Sequence, residues 1–526
     1  MKILNYLLLV VSLPLLASCG DDKEEPLPVP SGAVDFTAVA DGNEVTLDWE
    51  SQDAVDIWRA IGGGVDFDKI ASSVKESPYV DLVEEASDND EVAYRIVVAG
   101  SGIGSFEVMQ KEKTVRIETL TDEELLDLVQ ARTLKYFFDF AHPNSGMIRE
   151  RDTSGDVVTT GGTGFGVMAL IAGAERGFIS RADAYGQIRK ITDFLGRVAR
   201  FHGAYAHWYN GATGAVQPFS EKDDGGDLVE TSLLFQGMLT AKEYFADGSA
   251  EEAALAEDID KLWREIEWTH YLKDGKLMWH WSENYGFEMN LAITGWNEAM
   301  ITYVLAGCSP TYPIDKSVYF NGFQNGGNMG GNAAYYGYQT LVGDGMDDPL
   351  FFAHYSFLGL DPRGLKDEVC ADYFQNNKNH TLIHRSYCIE NPKGFVGYGA
   401  DLWGLTASDC PVEGYMAHSP NSDNGTISPT AALSSMPYTP EESMEVLEHL
   451  YRDLGMMGEY GFYDAVNLSV ETDKQIVKSF LAIDQGPIVV MIENYRSQLL
   501  WNLFMDNPDI RRGLPRLGFS SSQHGI

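Results

Sequence analysis

Two acidic segments carry the residue types most suited to chemistry in this chain: Asp223-Asp224-Gly225-Gly226-Asp227-Leu228-Val229-Glu230-Thr231 and Gly295-Trp296-Asn297-Glu298. Trp279, His280, Trp281 and Tyr285 lie between them. Sugars offer flat apolar faces and many hydroxyls, so carboxylates grouped with aromatic and histidine side chains suit cleavage of a neutral sugar polymer. Such cleavage needs one acid to protonate the leaving oxygen and a second carboxylate to prepare water on the opposite face, with room for that water if the anomer inverts. Glu298, expected where a helix opens beside Trp296, fits the first role, because an aromatic shield holds a carboxyl proton to higher pH. Asp227 and Glu230 stand three apart after a Gly-Gly turn and admit two readings. Asp227 can cap a helix with Glu230 folded back onto backbone amides, or both can face a cleft and hold water and hydroxyls. Asp223 and Asp227 flank the glycines and could also bind a cation. No loop of regular ligand spacing accompanies them, and neither a metal nor a cofactor is expected. His207, Trp208, Trp279, His280, Trp281, Trp296, Tyr398 and Trp403 are the candidates for stacking on sugar rings, although a tryptophan is more often core than platform.

The whole chain bounds these readings. Its 526 residues, 44% hydrophobic, exceed one typical domain and predict two. A net charge of −40, from 78 acidic and 38 basic residues, disfavours nucleic acid, anionic membrane surfaces and acidic polysaccharides as partners. The same excess also serves plain solubility. At the N-terminus, Lys2, the apolar run Leu7 to Leu16 and small residues before Cys19 have the parts of an export signal, and the run is too short to span a bilayer. Leu16-Ala17-Ser18-Cys19 resembles the lipobox of bacterial lipoproteins, which implies cleavage after residue 18 and a lipid on Cys19. The acidic residues Asp21, Asp22, Glu24 and Glu25 resemble a Bacteroidetes surface-export signal, so the expected location is the outer membrane, facing outward or toward the periplasm. Cys308, Cys370, Cys388 and Cys410 match no zinc pattern; an oxidising compartment would permit one or two disulfides among them, with no pairing assignable.

Elements must hold the acids in place. Residues 19–31, with Pro26, Pro28 and Pro30, read as an extended tether. Over 32–117, alternation in Val45 to Trp49, Val55 to Trp58 and Val92 to Val98 predicts short strands of a small all-β sandwich. Trp49 on an early strand and Tyr94 on a late one resemble a fibronectin type III domain, and a spacer role is expected for it. From residue 120 the period turns helical. Thr121 and Glu124 are spaced as a capping box, and Thr439-Pro440-Glu441-Glu442 predicts a second capped start. Amphipathic stretches follow at 164–177, 181–201, 228–246, 250–268, 291–306, 441–454 and 473–482, separated by long Gly- and aromatic-rich loops at 320–347 and 386–428. Helices alternating with decorated loops over residues 120–526 fit an α/α toroid around one cleft.

Several ordered motifs carry a family resemblance: His142-Pro143, Arg149 to Asp152, Thr163 to Gly166, Asp223 to Thr231, Gly295 to Glu298, Phe351 to Ser356, Trp403 to Asp409, Ala417 to Pro420 and Ile483 to Pro487. Together they resemble the Bacteroidetes proteins once labelled glucoamylases, in or beside glycoside hydrolase family 144, the endo-β-1,2-glucanases. The resemblance implies an all-α (α/α)6 toroid and inverting endo-hydrolysis of linear β-1,2-glucan to sophorooligosaccharides. It points to Glu298 as the acid and to Asp223, Asp227 and Glu230 as important carboxylates, and adds His354, Asp401 and His418 as substrate-binding candidates. The older label implies instead an exo-acting α-glucan hydrolase. A non-catalytic surface glycan-binding lipoprotein is the reading outside enzymes, and a uronate lyase is disfavoured by the acidic, aromatic loops. The expected partner is a neutral poly- or oligosaccharide, and the expected state a monomer.

Overall fold

The computed structural model describes residues 32–526 apart from 64–65, 84–85, 87–89, 118–119 and 412. The apolar run, Cys19 and the tether lie outside the described residues. The chain divides into two compact units, 1–119 and 120–526.

In the first unit, β1 (Phe36–Asp41), β2 (Glu44–Trp49), β3 (Val55–Ile61), β4 (Asp68–Val74), β5 (Tyr79–Leu82), β6 (Glu91–Val98) and β7 (Lys113–Arg116) form two antiparallel sheets, in the orders β1-β2-β5 and β4-β3-β6-β7. Alternation drives this arrangement, since Val45, Leu47 and Trp49 of β2 and Val55 and Ile57 of β3 turn inward and share one core with Tyr94 and Ile96 of β6. The Tyr94 hydroxyl is satisfied by Asp81 at 2.7 Å, and Arg59 pairs with the same carboxylate.

The second unit is largely helical. Its first helix, Asp122–Phe138, opens on the expected capping box: Thr121 Oγ1 accepts the Glu124 N–H while the Glu124 carboxylate accepts the Thr121 N–H. Helices Thr160–Arg176 and Leu228–Ala246 are buried along most of their length and lie backbone against backbone. Glycine permits that approach. A Cβ on Gly164 would stand 2.2 Å from the Leu233 carbonyl oxygen, and one on Gly237 would stand 2.0 Å from the Gly164 carbonyl oxygen. Helices Arg181–Leu195, Ala250–Arg264, Tyr373–Glu390 and Ala482–Arg496 complete the larger elements. No helix among the described residues is long and apolar enough to cross a membrane.

Four expectations need correction. Thr439 precedes Pro440–Glu448 but does not cap it, because its hydroxyl is engaged by the Ser435 carbonyl and Ser443 Oγ. The stretch 291–306 is helical only over Met300–Cys308: Ile293 N–H is drawn to the Leu277 carbonyl, and Gly295 adopts a left-handed φ of 77°, which ends any helix. The stretch 473–482 contains one 3-10 turn and a strand, Ile476–Val477, paired with Ala465–Val466; the helix starts at Ala482 instead. The four described cysteines are buried and free, so the disulfides that an oxidising compartment would permit are not formed among them.

Candidate active site

The acidic block and the Trp279–Trp281 segment, distant in sequence, are one two-stranded ladder in space, with Gly226 opposite Trp281 and Asp227 opposite His280. Both glycines are required by close approach: a Cβ at Gly225 would lie 2.3 Å from the Trp281 carbonyl oxygen, and one at Gly226 2.1 Å from the Tyr271 hydroxyl. The ladder delivers Asp227 to the start of helix Leu228–Ala246. There it takes the capping role and is fully buried. Its Oδ1 caps the helix by accepting the Glu230 N–H at 2.9 Å, while Oδ2 accepts His207 Nδ1–H at 3.0 Å and Trp279 Nε1–H at 3.1 Å.

Glu230 sits one turn on, buried, with Oε2 accepting the Gly161 N–H at 2.7 Å and Oε1 4.0 Å from His207 Nε2. Burial raises its proton affinity and Asp227 adds to that; His207 and the Gly161 amide oppose. His207 is thus held between carboxylates. Burial pulls its value down, but the charges of Glu230, Asp227 and Asp223 prevail and lift it to about 9, so the ring is an imidazolium at neutral pH. Asp223 is raised to about 7 by burial and by Asp227. Its nearest histidine, His280, stands at 3.4 Å; burial lowers the affinity of that ring, and its Nε2 accepts the Gly225 N–H.

Glu298 lies in the turn just ahead of helix Met300–Cys308, its carbonyl oxygen held by the Ser356 hydroxyl. Burial raises its carboxyl to about 7, with added repulsion from Glu230 and Asp227. The shield is not Trp296, contrary to the sequence reading, because that ring turns into the core and stacks on Tyr373 at 6.0 Å.

Glu230 and Glu298 line one cavity of about 460 Å³. His207, Trp208, Phe219 and Trp279 line it beside them, and Phe351, Tyr355, Tyr415, Leu481 and Ile483 supply further walls with Glu150 and Arg151. Arg151 pairs with Glu150 at 2.9 Å and with Asp409 at 3.2 Å. A second acidic group adjoins these residues. Asp464 accepts the Asp409 N–H at 2.6 Å and is raised to about 7 by burial, while Asp484 is driven well above the carboxylate range by burial and by Asp464. Tyr355 lines the cavity, and burial holds its hydroxyl protonated, with the charges of Asp484 and Glu298 adding to the effect. Asp409 and Asp484 fall within motifs of the family resemblance but are not among the site residues read from the sequence, and Asp464, Phe219 and Tyr415 lie outside those motifs. For Asp484 the Ile483-Asp484-Gln485-Gly486-Pro487 motif was the available signal.

Several sequence candidates fall away from the cavity. Trp403 is fully buried in the core, and its loop position gave no sign of that. His354 is buried, its Nε2 engaged by Ser435 Oγ at 2.9 Å, and burial drives it down to about 3. His418 is buried against the Ser422 carbonyl, and the Tyr398 hydroxyl donates to Asp423 at 2.8 Å. Asp401 is exposed and does not line the cavity. Trp281 sets its edge against His202 and His270, both at 4.8 Å, and with His280 serves the ladder rather than the cavity wall. Among the described residues, two groups offer ligand atoms close enough to share a cation, His207–Asp223–Asp227 and His202–Glu267–His270, each within 4.8 Å. In the first, Asp227 Oδ2 accepts hydrogen bonds from His207 Nδ1–H and Trp279 Nε1–H.

Residues 290–508 match the family model described as "Putative glucoamylase". The chain is 46% identical over 424 residues to an exo beta-1,2-glucooligosaccharide sophorohydrolase (non-reducing end) of Parabacteroides distasonis; the match covers 76% of this chain and 58% of that relative's length. A solved endo-beta-1,2-glucanase of Chitinophaga pinensis, in complex with sophorotriose and glucose, is 49% identical with a TM-score of 0.74, covering 77% of this chain and 99% of its own. The crystal structure of a "putative glucoamylase" from Bacteroides uniformis is 51% identical with a TM-score of 0.75, over 77% of this chain and 99% of its own.

Proposed function

The chain belongs to the glucoamylase-like family that stands close to the endo-β-1,2-glucanases of glycoside hydrolase family 144, and from that premise we propose that it hydrolyses linear β-1,2-glucan internally, with inversion, to sophorooligosaccharides. The observation that carries this reading is the pair of carboxyls, Glu298 and Glu230, on one cavity in unlike environments. Glu298, protonated up to about pH 7, donates to the leaving oxygen. Glu230, fixed by the Gly161 amide and facing the His207 cation, holds the attacking water; Asp227 positions both His207 and Trp279. A second reading gives the water to Asp484, which burial and Asp464 raise well above the ordinary carboxylate value and which is next in sequence to the cavity-lining Ile483.

Endo action is the mode proposed, in line with the 49% identical endo-beta-1,2-glucanase, and the 46% identical exo-acting relative makes release of sophorose the alternative. The helical unit is proposed to close as an (α/α)6 toroid, and the strand order of the first unit supports a fibronectin type III-like spacer. A lipid on Cys19 would tether the protein to the outer membrane. The test is to incubate the protein with linear β-1,2-glucan, laminarin, starch and xyloglucan, resolve the products by size and follow the anomer formed first. Sophorooligosaccharides of several lengths with inverted anomers are expected from β-1,2-glucan alone. Sophorose alone from the start would support the exo mode, and glucose from starch would replace the proposal with α-glucan hydrolysis.

A further inference from the structure

Phe219 is 53% exposed, on a loop otherwise composed of polar and charged residues from Ser220 to Asp224, and it lines the mouth of the cavity. A large apolar side chain left open there is unusual only because it is not alone. Its ring stacks on His207 at 4.5 Å and 27° and leans on Trp208 at 5.0 Å, so three rings form one continuous aromatic wall that ends in solvent. The backbone ties this wall to the acids: Phe219 N–H donates to the Asp223 carbonyl at 3.0 Å, and Asp223 N–H donates to Ser220 at 3.1 Å, so the ring and Asp223 share one tight turn. The far end of the loop is fastened by Asn284 to Asp224 at 2.6 Å and by Lys222 to Glu288 at 3.1 Å.

Resting on the glucan-hydrolase reading above, we infer that Phe219 is a specificity-determining platform, on which the apolar face of one glucosyl unit stacks at the cavity mouth beside the His207–Asp227–Glu230 group. The residue takes no part in proton transfer. It contributes binding that is equal in ground and transition states, which sets KM and leaves kcat alone.

The experiment measures kcat and KM on linear β-1,2-glucooligosaccharides for wild type, Phe219→Ala and Phe219→Trp, each with its pH profile and melting temperature. Phe219→Ala is expected to raise KM about tenfold, a loss of about 1.4 kcal/mol, with kcat within twofold and the pH profile unmoved; Phe219→Trp restores KM. A ring that merely shielded His207 from water would instead move the pH profile in Phe219→Ala. That shift, or wild-type KM in Phe219→Ala, overturns the inference while the hydrolase reading stands. A wild-type protein inert on every β-1,2-glucooligosaccharide removes the hydrolase reading and the inference with it. Because the side chain is exposed, the melting temperatures should agree, and a Phe219→Leu variant serves if the alanine protein is unstable.

Discussion

Replacing His207 with glutamine removes the imidazolium held between Asp223, Asp227 and Glu230 while leaving a side chain able to donate one hydrogen bond toward Asp227. The ring titrates near 9 in the folded protein against 6.5 in a free chain, and that gap corresponds to about 3 kcal/mol. The side chain is 20% exposed, so solvent screening leaves most of this intact. Because the folded state binds the proton more tightly, the stabilisation is complete below pH 6.5 and is lost as pH rises through about 9. Urea unfolding of wild type and His207→Gln, repeated from about pH 6 to about pH 10, reads the effect as the difference between two stability curves. Glu230 and Asp223 are themselves lowered by the His207 charge, so the difference reads the coupled cluster that the ring holds together. The variant should be less stable by about 3 kcal/mol near pH 6 and converge on wild type near pH 10. Parallel curves over the whole range would refute a charged His207 and, with it, the electrostatic account of the carboxyl cluster.

Activity on β-1,2-glucan should fall as pH rises through about 7, where Glu298 loses the proton that it must donate; an alkaline limb displaced by two pH steps would contradict that role. Glu230→Gln and Asp484→Asn separate the two candidates for the water-directing carboxylate, the true one losing at least about a hundredfold in kcat and the other retaining most of it. Gly164→Ala should lower stability by about 1–3 kcal/mol in thermal unfolding, because its Cβ would meet the Leu233 carbonyl at 2.2 Å and force two buried helices apart.

How much of this the sequence made legible depends on how local the cause is. The Thr121 capping box and the alternation of β2 and β3 are short-range effects, and both elements appear where the pattern puts them. The acidic block was legible in residue type but not in geometry: Asp227 takes the capping role and its second oxygen is filled by Trp279 and His207 from elsewhere in the chain, while Glu230 and Glu298 line the cavity. Trp403, His354 and His418 show the opposite case. Their loops look functional, yet tertiary burial absorbs the side chains into hydrogen bonds and core packing that no window of sequence contains. The Asp409–Asp464–Asp484 group is assembled from three segments, and only its pairwise proximity makes those residues exceptional. Phe219 drew no notice because a single phenylalanine among charged residues has no period to betray it.

Turnover of linear β-1,2-glucan by Glu298→Gln, measured beside substrate binding by calorimetry and the melting temperature, tests the assignment of the acid most directly. Turnover should fall by at least about a thousandfold while binding and melting temperature stay near wild type. Release of sophorooligosaccharides at close to the wild-type rate by a folded, substrate-binding Glu298→Gln protein would contradict it.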